Sequence, residues 1–218
     1  MNDDFSTSDI DIPEAEQPAY QPSENLVHKG DYVDIRKKIP QLQLVAAGAG
    51  WEQKMFEEEA LDVDLSCFLL DRAEQTRDDN DFVFYNNESA CSSAVRHQGD
   101  SRTGAGDGDD EMIKIDLNGL PFDVVKVVFV LSIYDAAERS QSFEKVRNMY
   151  FRMMNMDDDN EIFRINLSEQ DFTGQTGIKI GELVREGPKW FFSAINEPIP
   201  GGLGKIATQY GIIIANQG

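Results

Sequence analysis

The stretch GDSRTGAGDGDDEMIKIDL, residues 99–117, is the part of the chain from which the rest is best interpreted. Its first part is a loop in which glycines alternate with acidic residues and Arg102 is the one cation. Its last part alternates apolar and polar residues from Ile113 to Leu117, a period of two that predicts a strand. Carboxylates and backbone carbonyls at the start of a rigid strand are oxygen ligands of the kind that Ca²⁺ prefers. The stretch therefore predicts a calcium site, and a solvated acidic loop is the alternative.

The charge of the chain limits its partners. There are 20 Lys and Arg against 40 Asp and Glu, which gives a formal net charge of -20. Nucleic acid and anionic lipid both attract clustered basic residues, so neither is expected to bind this chain directly. The expected partners are calcium ions, basic protein surfaces, or anionic surfaces bridged by Ca²⁺.

Cysteine content and hydropathy predict a cytoplasmic location without membrane insertion. The chain has two cysteines, Cys67 and Cys91, which is too few for a disulfide framework. No apolar run follows a basic stretch at the N-terminus, so no secretion signal is expected. The longest apolar run, from Val124 to Tyr134, contains Lys126 and is too short to span a bilayer.

Residues 1–24, MNDDFSTSDIDIPEAEQPAYQPSE, predict a disordered acidic tail. They contain no Lys or Arg, and Pro13, Pro18 and Pro22 interrupt any regular element. Such a segment buries too little apolar surface to offset the entropy lost on ordering. The alternative is a docking peptide built on four apolar residues. These are Phe5, Ile10, Ile12 and Tyr20. Residues 25–218 are expected to form one folded domain.

The residue pattern after the tail predicts an all-β protein, namely an antiparallel β-sandwich with a few short helices. About ten short strands separated by turns are typical of that fold. In the strand predicted around residues 61–70, Leu65 and its alternate apolar neighbours share one face. The apolar run 124–135 predicts a central strand that is buried on both faces.

Several local elements are also expected. A hairpin is predicted around Lys29 and Gly30, and a strand over 82–87 is expected to pair back with 93–99. Short helices are predicted at 136–148 and at 201–211, and residues 212–215 predict a final edge segment.

Other oxygen-bearing residues could join the central loop in binding a metal ion. Carboxylates begin or precede two of the strands, and two asparagines follow one of them. These candidate partners are Asp62, Asp64, Asp79, Asp81, Asn86 and Asn87. Taken singly, each is explained by turn chemistry or by a half-exposed strand. The loop itself lacks an EF-hand pattern, so a site must gather ligands from several loops at an end of the sandwich.

The sequence gives little support for an enzyme. It lacks the motifs of serine hydrolases, zinc proteases, P-loop proteins and dinucleotide-binding proteins. His97 is near the acidic loop, and a solvated histidine at a strand end is the simpler interpretation. The abundance of carboxylates leaves one alternative, a metal-dependent hydrolase with a carboxylate-rich site.

Six long segments of the chain form a recognisable set in a fixed order. They are LDVDLSCFLLD (61–71), DDNDFVFYNN (78–87), GDSRTGAGDGDDEMIKIDL (99–117), VVFVLSIYDA (127–136), GIKIGELVREGPKWFFSAI (177–195) and GGLGKIATQYG (201–211). Together these segments resemble the TerD-like domain family of tellurium-resistance proteins. The resemblance covers about residues 26–216. It departs from the family in the N-terminal extension and in WEQKMFEEEALDVD (51–64), where family members often have a shorter segment.

The resemblance implies a calcium-binding β-sandwich in stress-response proteins linked to tellurite, oxidant or phage resistance, with no established catalytic activity. We therefore expect a non-catalytic interaction module whose partners are other proteins of a stress-response complex, with any membrane attachment made through such a partner. The family's oxygen-rich loops correspond to the following residues of this chain, which form the predicted metal site. They are Asp62, Asp64, Asp79, Asp81, Asn86, Asn87, Asp100, Asp107, Asp109, Asp110 and Glu111.

Overall fold

The computed structural model of the protein describes residues 25–54, 61–100 and 108–213. The strands in these ranges are β1 (Tyr32–Asp34), β2 (Leu44–Gln53), β3 (Val63–Leu70), β4 (Phe82–Val83), β5 (Ser89–Ala90), β6 (Val95–Asp100), β7 (Glu111–Asp116), β8 (Lys126–Ile133), β9 (Val146–Asn155), β10 (Glu161–Leu167), β11 (Gly177–Glu186) and β12 (Lys189–Pro198). Helix α1 spans Gly202–Gln209, and short 3-10 helices span Asp79–Asp81, Phe143–Lys145 and Glu169–Phe172.

The strands form two antiparallel sheets, which confirms the predicted β-sandwich. The first sheet has the order β1-β12-β11-β8-β3-β4, and the second has the order β10-β9-β2-β7-β6-β5. Their inner faces share one large apolar core. None of the helices in the described ranges combines the length and the apolar character that a membrane crossing requires.

Strand β3 shows why the central part of the first sheet is buried on both faces. Leu65 and its alternate neighbours face the core between the sheets, as the alternation predicted. Phe68 belongs to a second cluster on the outer face, where Ile206 and Tyr210 at the C-terminal helix also pack. The predicted helix at 201–211 is confirmed, and it covers this outer face. Strand β8 is almost wholly buried, as its near-continuous apolar run predicted.

Strand β2 consists largely of small residues, and this allows other side chains to cross its outer face. A Cβ atom on Gly48 would lie 2.1 Å from Asp109 Oδ2, and one on Gly50 would lie 2.5 Å from the ring of Tyr150. These two glycines therefore provide the space in which Asp109 and Tyr150 lie.

Five local predictions are wrong. Gly30 does form a turn, but β1 pairs with β12 and Leu26 forms a bridge with Arg164, so there is no hairpin. Residues 136–148 form turns, a 3-10 helix and the start of β9 instead of an α-helix, and Phe143 lies in the core. Three further ranges differ from their predictions as follows. Strand β4 ends at Val83, β6 pairs with β5 and β7 rather than with β4, and residues 212–213 lie outside any strand.

The predicted disordered tail, residues 1–24, lies outside the described residues. Residues 214–215 of the predicted edge segment also lie outside them.

Candidate functional site

The carboxylates at the start of β3 lie at one end of the first sheet, beside the end of β8. Asp64 is opposite Ser132 in the β3–β8 pairing, and Asp62 accepts a backbone hydrogen bond from Tyr134 at 2.8 Å. Asp64 is buried, whereas Asp62 is exposed. Asp135, which follows Tyr134, is therefore a further carboxylate at this end. The sequence offered a signal for it, because a long apolar strand ends directly on an acidic residue.

Tyr85 is close to all three of these carboxylates. Its ring packs edge-on against Tyr134, with 5.9 Å between the ring centroids. Burial raises the pKa of the Tyr85 hydroxyl, and Tyr134 and the carboxylates of Asp64, Asp135 and Asp62 raise it further. The start of β3 and the end of β8 therefore bring three carboxylates toward Tyr85. Asn86 follows Tyr85 in the chain and is exposed.

A buried ion pair in the second sheet contacts the start of β3 in the first sheet. His97 Nε2 in β6 lies 2.8 Å from Glu111 Oε2 in β7 and 3.1 Å from the carbonyl oxygen of Leu65 in β3. Burial alone would lower the pKa of His97, but the hydrogen bond and the charge of Glu111 outweigh it, and the pKa is raised. His97 is 5% exposed, so the interpretation of a solvated strand-end histidine is wrong. The signal for the pair was Glu111 itself, which shares the inward-facing register of Ile113.

The three consecutive acidic residues at the start of β7 have different partners. Asp109 Oδ1 accepts hydrogen bonds from Arg152 Nε at 2.7 Å and from the Tyr150 hydroxyl at 3.0 Å. Asp110 Oδ2 accepts one from the backbone N–H of Trp51 at 2.9 Å. Glu111 extends into the core toward His97, so the three carboxylates are not gathered around one point.

Asp109 is held on the outer face of the second sheet. Its side chain has no exposed surface, and Arg152 is 21% exposed. Burial and then the charge of Asp109 raise the pKa of the Tyr150 hydroxyl to about 12. Asp109 Oδ2 lies against Gly48 and has no hydrogen-bond partner among the described residues.

The loop between β3 and β5 uses its polar residues to fix its own structure. Both carboxylate oxygens of the buried Asp81 accept hydrogen bonds from Arg77, each at 2.7 Å. Asn87 Nδ2 donates to the carbonyl oxygens of Phe82, at 2.6 Å, and Asn80, at 3.1 Å. Asp79 lies exposed in the 3-10 helix. Turn chemistry therefore accounts for Asp81 and Asn87.

The predicted site residues thus fall into separate groups. Asp62, Asp64 and Asn86 share the end near Tyr85, while Asp81 and Asp109 are each bound to an arginine elsewhere. Within the described ranges, no group of three or more His, Cys, Asp or Glu residues is arranged to hold a metal ion. Two of the predicted ligands are not described by the structure. Asp107 lies outside the described residues, and so does the side chain of Asp100.

Comparison with known proteins identifies relatives over most of the chain. A family model described as the TerD domain matches residues 25–210. The tellurium resistance protein TerD of Serratia marcescens is 41% identical over 184 residues, covering 84% of this chain and 95% of its own length. General stress protein 16U of Bacillus subtilis (strain 168) is 43% identical over 185 residues, with coverages of 84% and 95%.

The fold also matches a solved structure. A Streptomyces coelicolor homologue of the telluride resistance protein TerD superposes with a TM-score of 0.62 at 16% sequence identity, covering 76% of this chain and 95% of its own. At that identity the likeness concerns the fold alone.

Proposed function

This chain belongs to the TerD family, and from that premise we propose that it is a calcium-binding stress-response protein of the tellurium-resistance type, acting as a non-catalytic interaction module. Its relatives are named for tellurium resistance and general stress, which supports the stress-response part of the proposal. The calcium part is argued from the charges at one end of the sandwich.

The observation that carries the calcium proposal is the group of carboxylates around Tyr85. Strand pairing places Asp62 and Asp64 beside the end of β8, where Asp135 follows Tyr134, and a cation there would be attracted by all three carboxylates. They do not form a complete metal cluster by themselves, so further ligands are required. The donors are all oxygen atoms, which suits a hard cation such as Ca²⁺.

The fit is best for the residues at the start of β3, which lie beside the end of β8. Asp62 and Asp64 are the described carboxylates to which we assign the cation. The predicted residues Asn86, Asp100 and Asp107 are candidates to complete its shell, which for Ca²⁺ takes roughly six to eight oxygens. Asp81 and Asp109 fit less well, because binding a metal would require each of them to give up an arginine.

The hydrolase alternative gains no support from the position of His97. A general base must reach the substrate or its attacking water. His97 is instead buried and held between Glu111 and the carbonyl of Leu65. We therefore prefer the interaction module to the hydrolase. Its proposed partners are other proteins of a stress-response complex, and any contact with a membrane would be made through such a partner. The net charge of -20 favours basic protein surfaces.

Isothermal calorimetry of the full chain tests the proposal. Ca²⁺ should bind to the chelator-treated protein, and Mg²⁺ should bind more weakly, because its rigid octahedron fits a flexible oxygen site poorly. Free Ca²⁺ at a hundredfold excess over its dissociation constant should add about 2.7 kcal/mol to the free energy of unfolding.

A pair of matched variants locates the site. Asp62→Asn with Asp64→Asn should weaken Ca²⁺ binding at least tenfold. The control is Asp157→Asn with Asp159→Asn, which removes the same charge from the exposed turn between β9 and β10 at the opposite end of the strands. Equal binding by the two variants, or no binding by the wild type, would refute the proposed site.

A further inference from the structure

An apolar cleft lies between the segment that leads into the first sheet and the edge of the second sheet. Its volume is about 290 Å³, and its lining includes Val27, Val33, Ile39, Ile162 and Phe163. Binding clefts for drug-sized ligands usually begin near about 300 Å³, so this one suits one or two apolar side chains better than a large ligand.

At the rim of the cleft the acidic residues have partners of their own, whereas the lysines form no ion pair with the described residues. Its acidic residues each have a local partner: Asp31 accepts the N–H of His28 at 2.8 Å, Asp34 lies 3.3 Å from Lys189 Nζ, and Glu161 lies 3.0 Å from Arg164 Nε.

The two lysines at the rim, Lys37 and Lys38, differ from these acids in having no oppositely charged partner among the described residues. Lys38 Nζ donates to Asn25 Oδ1 at 2.9 Å, and neither Lys38 nor Lys37 forms an ion pair with any residue of the described ranges. Both lysines are exposed, so their positive charges are accessible at the rim of the cleft. The rim is therefore suited to an acidic segment with apolar side chains.

The chain enters the domain along this cleft. Asn25 lines it, Asn25 Nδ2 donates to the carbonyl oxygen of Glu161 at 3.2 Å, and Leu26 forms a parallel bridge with Arg164 at the edge of β10. Residues 1–24 are joined directly to Asn25, so the cleft lies at the point where the acidic tail is attached.

We propose that the N-terminal tail docks into this cleft of its own chain through Ile10 and Ile12. The sequence Asp9-Ile10-Asp11-Ile12 alternates, so an extended backbone would place both isoleucines on one side and both aspartates on the other. The isoleucines then meet the apolar floor while the aspartates face Lys37 and Lys38.

The connection between Ile12 and the cleft is long enough. Thirteen residues can extend to about 43 Å, and a short flexible tether gives the tail an effective concentration in the millimolar range. A weak intrinsic affinity is therefore sufficient for docking. The family model begins at Asn25, so this device would be particular to chains that carry such a tail.

Hydrogen exchange of the full chain, followed by mass spectrometry, tests the proposal. The peptides covering 31–39 and 161–163 should exchange about two- to tenfold more slowly in the wild type than in the Ile10→Ser, Ile12→Ser variant, a range set by the expected occupancy of a tethered ligand. Exchange in β11 and β12 should be the same in both proteins, which shows that the fold is intact. The control Phe5→Ser should keep the protection.

Charge variants of the cleft test the contact between the tail and the rim lysines. Lys37→Glu with Lys38→Glu should remove the protection, whereas Arg72→Glu with Lys205→Glu, an equal change at exposed positions away from the cleft, should keep it. The proposal fails if wild type and the isoleucine variant exchange alike. It also fails if protection appears only at high protein concentration, since the occupant would then be the tail of a second copy.

Discussion

The replacement Gly48→Ala gives a sharp test of how Asp109 is held. Local propensity predicts a small gain, because Gly48 lies within a strand, its φ is not positive, and alanine in place of a strand glycine stabilises by about 0.5–1 kcal/mol. The structure predicts the opposite. The added Cβ would lie 2.1 Å from Asp109 Oδ2, so the buried carboxylate must move.

The size of the loss follows from what that carboxylate holds. Moving it breaks a charged hydrogen bond from Arg152, at 2.7 Å, and a hydrogen bond from the Tyr150 hydroxyl, at 3.0 Å. Both bonds end on the same charged carboxylate, and a hydrogen bond to a charged group contributes about 1.5–3 kcal/mol. The lower end of that range applies here, because the carboxylate is displaced and not removed. Arg152 is 21% exposed, so water recovers part of the loss. After the gain from alanine, the free energy of unfolding should fall by about 2 kcal/mol, which lowers Tm by about 4–8 °C in a domain of this size.

A double-mutant cycle separates this mechanism from a general strand effect. Thermal unfolding is measured with chelator present for the wild type, Gly48→Ala, Asp109→Ala and the double variant. In the Asp109→Ala background the alanine should be neutral or stabilising, so the coupling energy should be about 2–3 kcal/mol. If Gly48→Ala destabilises both backgrounds equally, or neither, the steric argument is wrong.

Three further predictions follow from burial. The folded pKa of His97 is raised, so its contribution to stability is complete below the ordinary histidine pKa of about 6.5 and is lost as pH rises through the folded pKa. The difference in the free energy of unfolding between wild type and His97→Gln, measured by urea titration, should therefore shrink as the pH is raised above about 6.5, and a constant difference would contradict this. A thiol reagent should modify Cys91 in the native protein and reach Cys67 only on unfolding, because Cys67 is fully buried and burial raises the pKa of its thiol; equal rates would refute this. Ile206→Ala should lower the free energy of unfolding by about 2–5 kcal/mol in urea titrations, and a loss below about 1 kcal/mol would show that α1 is not needed to cover the first sheet.

The fold was predictable from sequence where the information is local. Alternation in β3 and the unbroken apolar run of β8 depend on neighbouring residues, so they predicted both the strands and their buried faces. The segment 136–148 has helical spacing, but the N–H of Phe143 bonds to the carbonyl of Gln175 and its ring lies in the core. That tertiary contact overrides local propensity and could not be deduced from the segment itself.

For the candidate site, the sequence predicted which acidic residues are present but not how their side chains are arranged. The sequence shows that Asp109, Asp110 and Glu111 are close in the chain, but strand geometry turns their side chains in different directions. The partner of Asp109, Arg152, is distant in sequence and is brought close by the pairing of β2 with β9. Local density of acidic residues therefore does not establish that their carboxylates meet.

This separation changes what a bound calcium ion would do. A compact loop site would stabilise only the loop, whereas the proposed site draws on β3 of the first sheet and on the segment before β7 of the second. His97 already links these two sheets through Glu111 and the carbonyl of Leu65. A cation bound at Asp64, next to Leu65 in β3, would act close to this existing link. Calcium should therefore raise the stability of the whole sandwich, and amides in β3 and β7 should gain protection from hydrogen exchange together rather than the loop alone.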